Sequence, residues 1–190
     1  MGRVSSLASE FLEHLQRLND EDRGAMARLR RSLSRSPGAY PPAYAYVEPF
    51  VGRGQREDAP QRIALYVTAG LFAMHPEHVE GVHYAEALAE LMNEKNSQSI
   101  EKRFVALLES HPEDLHVHLR QATSLLASGD NGFDYKELCR DLVYWYDVRK
   151  LGRADKVKQK WARKFYSRLS SSGEEGSSES NESAQGKEEA

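Results

Sequence analysis

The stretch from residue 133 to residue 169, FDYKELCRDLVYWYDVRKLGRADKVKQKWARKFYSRL, constrains the fold more than any other part of the chain. Tyr135, Leu138, Leu142, Trp145 and Tyr146 recur at helical spacing, so at about 100° per residue they share one apolar stripe. Beyond Gly152, a hinge, Ala154, Val157, Trp161, Phe165 and Leu169 repeat the pattern. Two adjacent helices are predicted, with Trp145 and Trp161 at matching heights as packing anchors. Lys156, Lys160 and Arg163 fall opposite the aromatic seam of the second helix, with Lys164 beside them. Between Arg149 and Arg168 nine Lys or Arg face a single acid, Asp155, a local charge of +8 in a chain whose total is −3.

Earlier segments carry the same period. Leu7, Phe11, Leu15 and Leu18 predict a helix over about 6–18, and Asn19 or Asp20 is the expected cap of the next. That second helix buries Ala25, Met26, Leu29 and Leu33. It leaves Arg28, Arg31 and Arg35 on the far side with Arg30 at the edge, and Ser36-Pro37-Gly38 ends it. Residues 37–61 hold five of the seven prolines and four aromatics, which predicts a long connection with a short helical turn near 46–51 and a mobile tip, GRGQRED. From Gln61 to Met74 almost every face is apolar, the mark of an enclosed helix. Its strongly apolar run, from Ile63, is 12 residues, too short to span a bilayer, so no membrane association is expected. Further helices are predicted over about 82–94, from near Ser99, after Pro112, and from a capping-box-like Asp134 and Glu137.

No segment shows sustained period-two alternation. The expected fold class is all-α, a compact bundle of seven to eight helices over 1–169, with a division into lobes at about 1–95 and 96–169 left open. The last 22 residues hold six Glu and one Lys among Ser, Gly and Asn. They bury too little apolar surface to offset chain entropy, so 170–190 is expected to be a disordered acidic tail. Setting aside its charge of −5 leaves the remainder at +2. A single cysteine excludes an intrachain disulfide, and with no signal peptide the expected location is cytoplasmic.

Catalytic constellations are missing from the sequence. The seven histidines show no HExxH, no partner cysteine pair and no shared helical face, so surface or interface positions are expected for them and no metal site. Cys139 sits mid-helix at the margin of the apolar stripe, where a structural thiol is the ordinary outcome. Asp134 and Glu137 read as capping residues and Asp141 as an ion-pair partner. Without GxSxG, P-loop or GxGxxG there is no enzymatic signature, and no cofactor is expected.

The cationic faces remain. They recur on both sides of the chain, with Arg103, Arg120, Arg140, Arg149 and Lys150 added to the two helices above, and acids within the last helix are too few to neutralise it. Such patches attract polyphosphate, and each contact releases counterions. Sequence-tolerant nucleic-acid binding is therefore expected, since no base-reading motif accompanies the charge. The alternative is a helical adaptor whose basic faces pair with acidic partner subunits.

ARLRRSLSRSPG at 27–38, PQRIALYVTAGLFAMHP at 60–76, SIEKRFVALLESHPEDLHVHLRQATSLLAS at 99–128, FDYKELCRDLVYWYDVRK from 133 and VKQKWARKFY from 157 stand in an order and spacing that resembles the CasB family. That family is the small subunit of the type I-E CRISPR surveillance complex, Cascade, and the resemblance covers about residues 7–168. It implies an all-helical protein without catalysis, working as paired copies beside other Cascade subunits and the guide RNA. It further implies contact with the target and displaced DNA strands, stabilising an R-loop whose formation is nearly balanced in energy. By position, the family's basic surface maps onto Arg30, Arg31, Arg103, Arg120, Arg140, Arg149 and Lys150. Lys156, Lys160, Arg163 and Lys164 match a region that is basic in only some members. The acidic tail and the GRGQRED loop lie outside the common pattern.

Overall fold

In a computed structural model of the chain, residues 2–178 are described, with side chains for 4–171. Eight long helices and one of four residues follow in order: α1 (Gly2–Glu21), α2 (Arg23–Ser32), α3 (Tyr44–Val47), α4 (Pro60–Met74), α5 (Tyr84–Lys95), α6 (Gln98–Glu109), α7 (Leu115–Ala127), α8 (Tyr135–Trp145) and α9 (Arg153–Ser178). Short 3-10 turns flank α3 at Pro41–Ala43 and Glu48–Phe50. The expected all-α class holds; among the described residues the one β feature is an isolated parallel bridge between His78 and Phe133.

Local boundaries follow from which side chain can satisfy the free amides of a first turn. The cap of α2 is Asp22, whose Oδ1 accepts from the Ala25 N–H at 2.8 Å. Asn19 and Asp20, expected in that role, belong to the last turns of α1, because the helix runs on to Glu21. Asp134 caps α8 as expected, accepting from the Lys136 and Glu137 amides at 2.8 and 3.1 Å. The cap of α5 is His83, whose Nδ1 accepts from the Ala85 N–H at 3.1 Å while Glu86 reaches back to the His83 amide at 3.0 Å. Gly152 turns the chain between α8 and α9 with φ of 76°, a left-handed conformation that glycine adopts without steric cost. α9 continues to Ser178, past the start at 170 expected for the acidic tail; its remainder, 179–190, lies outside the described residues.

α4 is the enclosed element, with every residue from Ala64 to Ala73 buried. α2 and α8 pack most extensively on it, α7 and α1 less so. The α2 crossing is close enough that a Cβ added at Gly70 would sit 2.6 Å from Leu33 Cγ. α9 lies chiefly along α5 and then α8. One aromatic series threads these helices: Trp145 meets Trp161 edge-on at 5.1 Å, Trp161 meets Tyr84 at 5.1 Å, Tyr84 meets Phe133 at 4.7 Å, and Phe133 meets Tyr135 at 4.3 Å. Phe104 of α6 stacks on Phe165 of α9 at 4.1 Å. Burying each such side chain contributes about 1.5–3 kcal/mol, and the ring geometries add about 0.5–1.5 kcal/mol per pair.

Candidate nucleic-acid interface

The basic residues singled out by sequence divide according to whether an acid or carbonyl of another segment reaches them. On α2, the exposed Arg31 has no side-chain partner, and neither has Arg35 in the turn that follows. Arg30 is committed otherwise: its Nε donates to the Ala73 carbonyl at 2.8 Å, at the C-terminal end of α4 where a cation suits the helix dipole. Arg28 donates to the Tyr46 hydroxyl at 2.5 Å, pinning the long connection to α2.

Arg35 lines one narrow crevice with His116 of α7, and Arg120 stands one turn further along α7. The turn after α2 therefore lies beside the first turn of α7. Arg120 is exposed and unpaired, as is Arg103 on α6, which packs beside α7. The α6–α7 turn, the turn after α2, the 51–59 loop and the segment after α8 close around a cleft of about 610 Å³. Arg149 borders it and donates to Asp58 Oδ2 at 3.0 Å, while Lys150 projects into solvent without a partner. Arg53 and Arg56 border a second cleft of about 370 Å³ that shares Arg149. Both lie in the GRGQRED loop, to which sequence assigned no role, although arginines three apart in a polar loop were the available signal.

On α9 the arrangement differs from the one expected. Lys160 turns inward, contacting both Asp141 oxygens at 2.8 and 2.9 Å and Glu137 at 2.9 Å. Lys164 pairs with Glu86 at 2.9 Å, and Arg168, one turn on, with Glu90 at 2.8 Å. The single acid within the first turns of α9 could not neutralise the helix, but acids of α5 and α8 pair with Lys160, Lys164 and Arg168. Lys156 stays exposed and unpaired. Arg163 makes only a 3.4 Å contact to the Gln159 carbonyl one turn back. Arg140, half-buried on α8, has no acid partner.

Asp141 sits at the centre of the α5, α8 and α9 junction, 6% exposed. Besides Lys160 it accepts from Trp161 Nε1 at 2.7 Å and from His83 Nε2 at 3.3 Å. Since His83 Nδ1 accepts an amide hydrogen, Nε2 carries the ring N–H. Burial opposes the charge on Asp141, yet the donors His83, Lys160 and Trp161 outweigh it and hold the carboxyl below the ordinary range. This is a packing junction; among the described residues no hydroxyl or thiol is hydrogen-bonded to His83. The ion-pair role expected for Asp141 is thus present, at a depth that sequence did not indicate.

Two of the histidines expected at surface or interface positions are buried, His75 at 4% and His83 at 1%. His75 Nε2 donates to the Asn131 carbonyl at 2.9 Å, and the His78 ring lies 3.3 Å from the Phe133 carbonyl, so both clasp the 75–82 segment to the entry of α8. Among the described residues no group of three or more His, Cys, Asp or Glu is arranged to hold a metal. Burial pushes the Cys139 thiol up to about 11, which leaves it a packed, un-ionised side chain. No helix of the described residues is long and apolar enough to cross a membrane.

The family model for CRISPR-associated protein Cse2 matches residues 25–166. A Cse2 protein of Thermus thermophilus is 38% identical over 164 residues, which are 85% of this chain and 90% of the relative. The crystal structure of CasB from M. ruber is 34% identical, with 88% of this chain and 96% of that one covered at a TM-score of 0.72. A chain from a CRISPR RNA-guided surveillance complex shares the fold at 21% identity, covering 91% and 99% of the two chains with a TM-score of 0.73. With a helical core that matches in both sequence and fold, the chain belongs to the CRISPR-associated protein Cse2 family.

Proposed function

We propose that this protein is a non-catalytic subunit of a type I-E CRISPR RNA-guided surveillance complex. In this role it binds nucleic acid without sequence preference and stabilises the R-loop. Membership of the Cse2 family and the fold shared with a chain of such a complex support the first part. The single observation that carries the second is that Arg31, Arg35 and Arg120 are exposed with no acid of the described residues paired to them, Arg35 lining a crevice shared with His116 of α7. Unpaired guanidinium groups on a low-dielectric body attract a phosphate backbone, and a few contacts of about a kcal/mol each suffice to tip a nearly balanced strand exchange. The guide RNA, the target strand and the displaced strand are the polyanions within reach of such a subunit in the cytoplasm. Other subunits and a second copy of the chain are its protein partners.

A second reading, a helical adaptor that docks on acidic partner subunits, is favoured by the 146–152 segment, where Leu151 is 99% and Val148 65% exposed beside Arg149 and Lys150. The triple variant Arg31→Glu, Arg35→Glu, Arg120→Glu separates the two. In the assembled complex it is expected to melt like the parent, to assemble, and to open target DNA less readily. A variant that assembles and opens DNA as the parent does would overturn the nucleic-acid site, and one that fails to assemble would favour the adaptor.

A further inference from the structure

We infer that the two adjoining clefts beside Arg149 form a seat for one unstacked nucleotide of a single strand, its base in the larger and its phosphate in the smaller. This rests on the nucleic-acid reading above and assigns a specific place within it.

The two clefts meet at Pro60 and Arg149. In the smaller, Arg53 and Arg56 face Arg149 across the first turn of α4. That turn begins at Ala59, which has no side-chain oxygen to cap it, and Pro60, which has no N–H. The Gln61 and Arg62 amides are therefore without an intrahelical acceptor at the positive end of the helix dipole. Three guanidinium groups and an uncapped helix start together fit a phosphate. Asp58, at the border with the larger cleft, shows that these guanidinium groups take an anion: Oδ1 accepts from Arg56 Nε at 2.9 Å and Oδ2 from Arg149 at 3.0 Å.

The larger cleft has the opposite character. Ile63, Pro112, Tyr146 and Val148 give it apolar walls wide enough for a base, while Glu57 and Glu113, neither of them ion-paired among the described residues, make its rim acidic. A phosphate is repelled there, whereas a base can stack against the walls and offer an exocyclic amine to a carboxylate. The Tyr146 hydroxyl, buried at the wall, has no hydrogen-bond partner among the described residues. Charge alone thus sorts the two halves of a nucleotide between the two clefts. Arg56 and Arg149 remain more than half exposed, so a strand can reach them.

The test uses the full chain and fluorescence anisotropy of labelled oligodeoxycytidylate across a salt series, beside an abasic strand of equal length. The parent is expected to bind the abasic strand about fivefold or more weakly, since stacking is lost. Arg53→Gln with Arg56→Gln is expected to lower the slope of log K against log salt by about two and to erase the preference for bases. Asp58→Asn removes the internal competitor and is expected to tighten binding severalfold. Equal binding of the two strands by the parent, or an unchanged slope in the double variant, overturns the seat while leaving general nucleic-acid binding in place. Inorganic phosphate that displaces the strand at constant ionic strength, with no preference for bases, would assign the arginine cleft to free phosphate and also overturn it. A parent that binds neither strand at low salt overturns the nucleic-acid reading itself.

Discussion

The indole Nε1 of Trp161 donates to Asp141 at 2.7 Å, so the largest side chain of α9 is fixed to α8 by a polar bond at the centre of an apolar seam. His83 and Lys160 reach the same carboxylate, and three helices are thereby registered on one group. A buried charge of this kind is held in place by its donors and becomes a liability if they or it are removed alone.

Asp141→Ala leaves the Trp161 and His83 N–H groups without an acceptor and Lys160 with Glu137 alone. Loss of about 3 kcal/mol of stability is expected, read from urea unfolding. Asp141→Asn keeps an acceptor and is expected to lose less. Equal stability of the parent and the alanine variant would show the junction to be unimportant.

The same group sets a pH dependence with a definite sign. Its native pKa lies below that of the unfolded chain, so its contribution is complete above the ordinary carboxylate value of about 3.9 and is lost as pH falls through the lower native value. Glu86 acts in the same direction: burial raises its pKa, but Lys164 and the His83 amide outweigh that and hold it low. Stability is therefore expected to fall as pH drops from about 5 to 3, more steeply in the parent than in Asp141→Asn. Parallel curves for the two proteins would contradict this.

Arg30 and Arg31, adjacent in sequence, are expected to separate in function. Arg30→Gln loses the bond to the Ala73 carbonyl and should cost about 1 kcal/mol of stability with little effect on the salt slope of nucleic-acid binding. Arg31→Gln should leave the melting temperature unchanged and lower that slope by about one. Thermal melting and salt-dependent anisotropy on the two variants check both arms.

On α9, Lys164 is already matched by Glu86. Lys164→Gln should therefore weaken nucleic-acid binding less than Lys156→Gln does, and cost below about 1 kcal/mol of stability, as exposed pairs do. Glu86→Gln frees the ammonium and should raise the affinity. If Lys164→Gln proves the more damaging of the two lysine variants, the pairing does not govern the face.

Helix positions and buried faces were legible because they depend on neighbours three and four residues away. The Trp145–Trp161 seam, the hinge at Gly152 and the Asp134 cap all follow from such short-range chemistry. The cap of α2 was misplaced by two or three residues, since several acids in a row each qualify until the helix axis is known. The burial of His83 and His75, for which surface or interface positions are expected, is not visible in short windows because their acceptors, Asp141 and the Asn131 carbonyl, lie more than fifty residues away.

What the sequence determined by itself was an all-helical chain with a strongly basic final helix and a basic second helix, since periodicity and local charge are properties of short windows. Which of those charges are free was decided only when α9 came to rest along α5 and α8, bringing Glu86 to Lys164 and Asp141 to Lys160, while no acid of the described residues was brought to Arg31, Arg35 or Arg120. The physical reason is that a charge is neutralised by whatever stands within a few ångströms of it, and for these residues that neighbour is supplied by another helix.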